Sequence, residues 1–222
     1  MNYDDLTDEI LDHPNAQKIV NQVQSTLNKK KQARDDFREW LNDDIKAEFI
    51  NGEIVMHSPI RRGHLNVMEN LLPVLSTYIL MNDLGEVSVE KALISLDHND
   101  YEPDVVFWTK DQAKDFNDET MVHPVPSLVV EILSKNTKHK DRSIKFQDYT
   151  AHHISEYWII DYHKQVVEKY ILTADSPDKY VLHGKMKIGQ NIESQIVHSF
   201  KIPVAAIFDK KVNLVVLKEI MK

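Results

Sequence analysis

The stretch that most constrains this chain covers residues 126–161, PSLVVEILSKNTKHKDRSIKFQDYTAHHISEYWIID. Leu128, Val129, Val130, Ile132 and Leu133 form an apolar strand pattern with one carboxylate, Glu131, in its middle. Burying a lone Glu in such a strand is costly unless it is paired, protonated or bound to a metal. A Lys-rich polar turn follows, then a predicted helix holding Lys145 and Tyr149, then a second apolar strand over residues 157–160. Any fold for this chain has to solve the problem of Glu131.

At 222 residues the chain fits one domain of generous size, or one domain with an appendage. The formal net charge is −8, from 35 acidic and 27 basic residues. A protein that coats DNA non-specifically is normally basic, because neutralising phosphates dominates that binding. A nucleic-acid role here must therefore rest on a local basic patch or on metal ions. The chain has no cysteine, which excludes disulfides, thiolate metal sites and a Cys nucleophile. That composition fits a reducing cytoplasm, the expected location. No apolar run approaches bilayer length, so no membrane partner is expected, and the acidic start MNYDDLTDEI is unlike a signal peptide.

Along the chain, residues 1–14 read as a loose acidic lead-in ending at Pro14. Apolar residues at helical spacing over residues 15–43 predict one long helix or two, interrupted near Lys29, Lys30 and Lys31. Residues 46–57 read as a hairpin about the turn Asn51-Gly52. Residues 61–81 are helical, with Pro73 expected to kink or break the helix. Strands are predicted over residues 87–96 and 103–108, then a long polar loop over 110–126. After the central stretch come strands over 166–172, 179–182 and 192–198, a short helix over 203–208 and a last strand over 212–217. The order predicts an α/β, or mixed α+β, fold around a mixed sheet. Residues 1–44 form a helical extension and residues 45–222 the main domain.

Side chains alternate across a strand, so Asp104 shares a face with Val106 and Trp108, and Glu131 shares one with Val129 and Leu133. If the two strands are neighbours, Asp104 and Glu131 converge. Two converging carboxylates make a hard oxygen site suited to Mg²⁺ or Mn²⁺, which can activate water and stabilise charge on a phosphodiester. Asp141, Lys145 and Tyr149 fall at successive i, i+4 positions and line one helix face, which can bring Lys145 beside the ion. Lys135, Lys138, Lys140 and Arg142 make the densest basic segment of the chain. Each feature also has a plainer reading. Asp104 can cap a turn, Glu131 and Lys145 can form a structural buried salt bridge, and His64 can cap or pack a helix start. The histidines do not cluster as zinc ligands would.

The segments AEFINGEIVMHSP, RGHLNVMENLL, YEPDVVF and PSLVVEILS…D…K…Y…EYWIID resemble the Uma-two family, within the PD-(D/E)xK, or restriction-endonuclease-like, superfamily. The resemblance covers about residues 45 to 172. It implies a restriction-endonuclease-like core, a mixed sheet flanked by helices, with Asp104 and Glu131 as metal ligands and Glu48 as an additional acidic residue. The lysine usually found two residues after the glutamate is replaced here by Leu133, and the resemblance suggests that Lys145 supplies the amine. The expectation is a Mg²⁺- or Mn²⁺-dependent endonuclease acting on DNA, with catalytic residues Glu48, Asp104, Glu131 and Lys145. His64, Lys138, Lys140, Arg142 and Tyr149 are the candidate substrate-binding residues, and a homodimer would serve the two strands of a duplex. The alternative is an inactive nuclease-fold protein that binds nucleic acid or a protein partner.

Overall fold

The computed structural model describes residues 3–42, 44–134 and 138–222. The chain divides into two compact units, residues 1–56 with 97–99, and residues 57–96 with 100–222.

The first unit holds helices α1 (Tyr3–Asp12) and α2 (Ala16–Trp40) and the hairpin β1 (Ala47–Ile50) and β2 (Glu53–Met56). The acidic lead-in is thus helical, with Asp4 and Asp5 in its first turn, where negative charge complements the helix dipole. The helical run is interrupted at Pro14, whose ring cannot donate a backbone hydrogen bond. It is not interrupted at the lysines: residues 29–31 are exposed helix, and lysine is a good helix former on a solvated face. Asn51 (φ 55°) and Gly52 (φ 96°) carry the two left-handed positions of the hairpin turn. Phe37, Ala47 and Phe49 make this unit's small core, and Arg34 donates to the carbonyls of Asp97 and Asn99.

The second unit opens with α3 (Arg62–Met81), which runs through Pro73 without a break. Leu71, Val74 and Leu75 around that proline are fully buried, and their packing outweighs one missing backbone bond. Next come β3 (Gly85–Val89), β4 (Leu93–Ser95), β5 (Asp100–Tyr101), β6 (Val105–Thr109), α4 (Lys110–Ala113), β7 (Val122–His123) and β8 (Leu128–Ile132). The long strand expected over residues 87–96 is split at Glu90, whose φ of 58° turns the chain. The expected loop over 110–126 contains α4, closed by a capping box between Thr109 and Gln112. Then follow α5 (Lys138–Asp141), α6 (Ile144–Ala151), β9 (Glu156–Asp161), β10 (Val166–Thr173), β11 (Ser176–Lys187), β12 (Asn191–Glu193), β13 (Lys201–Pro203), α7 (Ala205–Phe208) and α8 (Lys210–Ile220).

The last strand expected over residues 212–217 is α8. Its β-branched residues misled the pattern, because burial follows the helical period: Val216 is buried, while Leu214 and Val215 are half exposed. Asp209 caps the helix by accepting from the Lys211 and Val212 amides, and the buried Asn213 amide donates to the carbonyls of Asn70 and Ala206.

Six strands form a mixed sheet in the order β11-β10-β9-β8-β6-β3. Only β8 and β9 are parallel, and α5 and α6 cross between them. One face carries Val105, Phe107, Val130, Ile132, Trp158 and Ile160 into a core shared with α3, α7 and α8. On the other face Tyr101, Tyr149, Tyr157, Phe146, Tyr170 and Tyr180 meet largely edge to face. Separately, β4 pairs antiparallel with β5 and parallel with β7.

Gly85 allows β3 to meet β6. At its φ of 141°, an added Cβ would stand 2.1 Å from the Trp108 carbonyl oxygen. Gly85→Ala is expected to cost at least about 1–3 kcal/mol for the backbone conformation alone, read as a lower thermal midpoint.

Candidate active site

Antiparallel pairing of β6 with β8 matches Val106 to Val129 and Val105 to Val130, and the same register sets Asp104 opposite Glu131. This convergence is the one anticipated from strand alternation. Asp104 lies just before β6, and its carboxylate is held on both sides. Its Oδ2 accepts from the Ile132 amide at 2.6 Å, and its Oδ1 is 3.0 Å from His64 Nε2. His64 reaches it from the first turn of α3 and is itself buried.

Glu131 is 4% exposed, yet it is not isolated. Lys145 Nζ donates to its Oε1 at 2.8 Å, and the Tyr149 hydroxyl donates to the same oxygen at 2.9 Å. Lys145 is 2% exposed and lies 4.0 Å from Asp141. Its ammonium also stands 5.5 Å from the centre of the Tyr101 ring, a cation–π distance. The helix expected after residue 136 is two short helices, α5 and α6, but the face of Asp141, Lys145 and Tyr149 survives the break and is wholly buried. Position 133 is the apolar Leu133, and the amine that pairs with the glutamate is that of Lys145 on α6. Burial first, then the charges of Glu131, Asp141 and Asp104, push the Tyr157 phenol well above its usual range. That hydroxyl donates to the Asp141 carbonyl at 3.0 Å.

Glu48 is buried on β1, in the first unit. Lys138 is exposed and Lys140 half-buried on α5, while Lys135 falls outside the described residues. Arg142 Nη1 donates to Glu168 Oε2 at 2.5 Å. Three residues at the site were missed from sequence: Glu90, which lies across from Asp104 and whose amide donates to the Asp104 carbonyl at 3.3 Å, Tyr101, and the cap given by the Ile132 amide. Only the β3–β6 register could have revealed Glu90, since in sequence it is one charge in the polar pair Glu90-Lys91.

Two titrations bear on stability here. Burial alone would raise the Glu168 carboxyl, but hydrogen bonds from Arg142, Lys185 and Tyr170 outweigh it and hold the group at about 2. Its contribution is fully present above about pH 4.5 and is lost as pH falls towards 2. His123, stacked on Trp108 at 4.9 Å, is pushed below its ordinary 6.5 by burial, so its contribution is full above that pH and fades below it. The thermal midpoint is expected to begin falling below about pH 6.5, before carboxylates titrate. His123→Phe, which keeps a ring on Trp108, should make that first descent shallower in a pH series of melting curves.

A family model described as "Putative restriction endonuclease" (Uma2) matches residues 34–205. A solved structure, that of "a putative nuclease belonging to DUF820" from Anabaena variabilis ATCC 29413, superposes with a TM-score of 0.65 at 13% sequence identity, covering 78% of this chain and 96% of that one. At that identity the likeness speaks for the fold, which is restriction-endonuclease-like. No curated protein matches the chain. The chain belongs to the Uma2 family.

Proposed function

We propose, starting from that family membership, that this protein is a metal-dependent endonuclease hydrolysing phosphodiester bonds in DNA. The observation that carries the proposal is the 2.8 Å contact between Lys145 and Glu131, set in register with Asp104. Two carboxylates and an amine at adjoining strand ends are the groups that metal-assisted hydrolysis needs.

Asp104 and Glu131 would hold Mg²⁺ or Mn²⁺, and their hard oxygen donors fit either ion. When bound, such an ion lowers the pKa of a coordinated water and offsets charge on the phosphate. Lys145 stabilises the extra charge that develops on the phosphoryl oxygens, and its burial strengthens that effect. Tyr149 orients Glu131, His64 orients Asp104, and Glu48 is the further acidic group. Lys138, Lys140 and Arg142 would meet backbone phosphates, a local positive segment on a chain of net charge −8. Residues 1–44 form an appendage to a nuclease domain of residues 45–222, and a homodimer would present two sites to a duplex.

The test is incubation of supercoiled plasmid with purified protein and Mg²⁺ or Mn²⁺. The parent should nick or linearise it, chelation should stop the reaction, and Glu131→Ala and Lys145→Ala should not cut. Cutting by both variants at the parent's rate would defeat the assignment.

One observation favours a second reading. Glu131 Oε1 already accepts from both Lys145 and Tyr149, which satisfies that oxygen without a metal. On that reading the protein is an inactive nuclease-fold binder of nucleic acid or a protein partner. Salt-dependent DNA binding with no hydrolysis in either metal would select it.

A further inference from the structure

We propose that His64, Glu90 and Asp104 form a mixed imidazole–carboxylate site that selects a first-row transition-metal dication over Mg²⁺. The inference rests on the proposed role of Asp104 as a metal ligand and adds two donors to it, one of them an imidazole.

The three residues come from three separate elements of one compact unit. His64 lies in the first turn of α3, Glu90 just after β3, and Asp104 just before β6. Pairing of Val89 with Val105 sets Glu90 beside Asp104, and the Glu90 amide bonds the Asp104 carbonyl. One ligand atom from each residue lies within 4.8 Å of the others. His64 Nε2 and Asp104 Oδ1 are 3.0 Å apart, the spacing of adjacent donors on an ion with bonds of about 2.1 Å. The Asp104 carboxylate is already oriented, because the Ile132 amide holds Oδ2 and leaves Oδ1 facing His64.

The histidine is also able to act as a ligand through the nitrogen that faces Asp104. His64 is 4% exposed, and its Nδ1 is buried with no hydrogen-bond partner among the described residues. An ion held by Nε2 needs the ring proton on Nδ1, and no described partner at Nδ1 opposes that tautomer. Neutral imidazole is the commonest protein ligand for metals.

The donor set decides the class of ion. Mg²⁺ prefers oxygen ligands and retains its waters, whereas imidazole favours first-row transition ions. Glu131 is outside this group of three, and its Oε1 is engaged by Lys145 and Tyr149. The donors gathered around Asp104 therefore lie towards His64 and Glu90.

The test is a titration of the full chain with Mn²⁺ in the absence of DNA, followed by electron paramagnetic resonance of free Mn²⁺, with Mg²⁺ as competitor. The parent should bind one Mn²⁺ that a roughly tenfold excess of Mg²⁺ does not displace. Glu90→Gln and His64→Gln should each weaken Mn²⁺ by at least about tenfold, the lower end of what losing even an outer-shell partner costs. His64→Gln should also erase the preference over Mg²⁺, while Glu90→Gln, at a half-buried position that leaves the core intact, keeps it. Unchanged Mn²⁺ affinity in both variants, or no bound Mn²⁺ in the parent, overturns the site. Mn²⁺ lost in Glu131→Gln but kept in Glu90→Gln and His64→Gln also overturns it, and leaves the Asp104–Glu131 ion standing. Mn²⁺ lost in Glu90→Gln and His64→Gln, with plasmid uncut by the parent, upholds the site and removes the nuclease.

Discussion

Lys145→Ala is expected to abolish DNA cleavage and to destabilise the fold by about 3–5 kcal/mol, the cost of leaving one member of a buried ion pair without its partner. Both effects have one source. Lys145 is 2% exposed, and its ammonium sits 2.8 Å from Glu131 Oε1, so the alanine variant leaves a buried carboxylate without that ammonium, Tyr149 still donating to the same oxygen. Stability loss alone would therefore not establish a chemical role. The double variant Glu131→Leu with Lys145→Met separates the two. Replacing both charges with apolar side chains of similar size is often neutral or stabilising, so most of the lost stability should return. Under the proposed function cleavage should not return, because neither the proposed metal ligand nor the proposed amine is restored. Melting curves and plasmid nicking on the three proteins provide the measurement. A well-folded Lys145→Ala protein that nicks at the parent's rate would remove Lys145 from the machinery.

Much of this centre was legible in the sequence because its signals are local. The alternation in PSLVVEILS set Glu131 on one face of β8, and i, i+4 spacing set Asp141, Lys145 and Tyr149 on one helical face, as the structure has them. The Asn51-Gly52 turn likewise carries its conformation within two residues. What was not legible depends on distant parts of the chain. The run VNLVVL reads as strand by composition, but it is helical because Asp209 caps it and Asn213 and Val216 are buried on one side. Glu90 has no signature of its own. Its neighbourhood with Asp104 exists only once β3 and β6 pair, and the left-handed turn at Glu90 ends the strand there. Glu48 shows the opposite limit: its role comes from the resemblance alone, and it is a buried residue of β1 in the first unit.

The other large effect expected is on stability alone. Glu156→Ala should destabilise the protein by at least about 3–5 kcal/mol, which for a chain of this length means a fall of roughly 6–20 °C in thermal midpoint. Glu156 opens β9 and is fully buried. Its Oε2 accepts from the Ser194 hydroxyl at 3.0 Å and from the Gln195 and Ile196 amides at 2.8 and 3.2 Å. Its Oε1 accepts from Trp158 Nε1 at 2.5 Å and lies 3.6 Å from the buried ammonium of Lys169. One carboxylate thus fastens the central strand to the turn after β12 and balances a cation that would otherwise be buried against a single carbonyl, that of Glu193. Glu156→Gln, which keeps the shape and one acceptor oxygen but not the charge, should fall between the parent and alanine variants. A midpoint within about 2 °C of the parent for Glu156→Ala would overturn the assignment. Glu156 pairs with Leu128 at the start of β8, and Glu131 lies three residues further along the same strand. Two carboxylates are therefore buried in one strand pair by different means. Glu156 takes its hydrogen bonds from neutral donors that fix a turn, with the Lys169 ammonium at 3.6 Å, while Glu131 is hydrogen-bonded directly by a lysine and a tyrosine beside a second acid. Burial of a carboxylate does not by itself mark chemistry; the company of Lys145 and Asp104 separates Glu131 from Glu156.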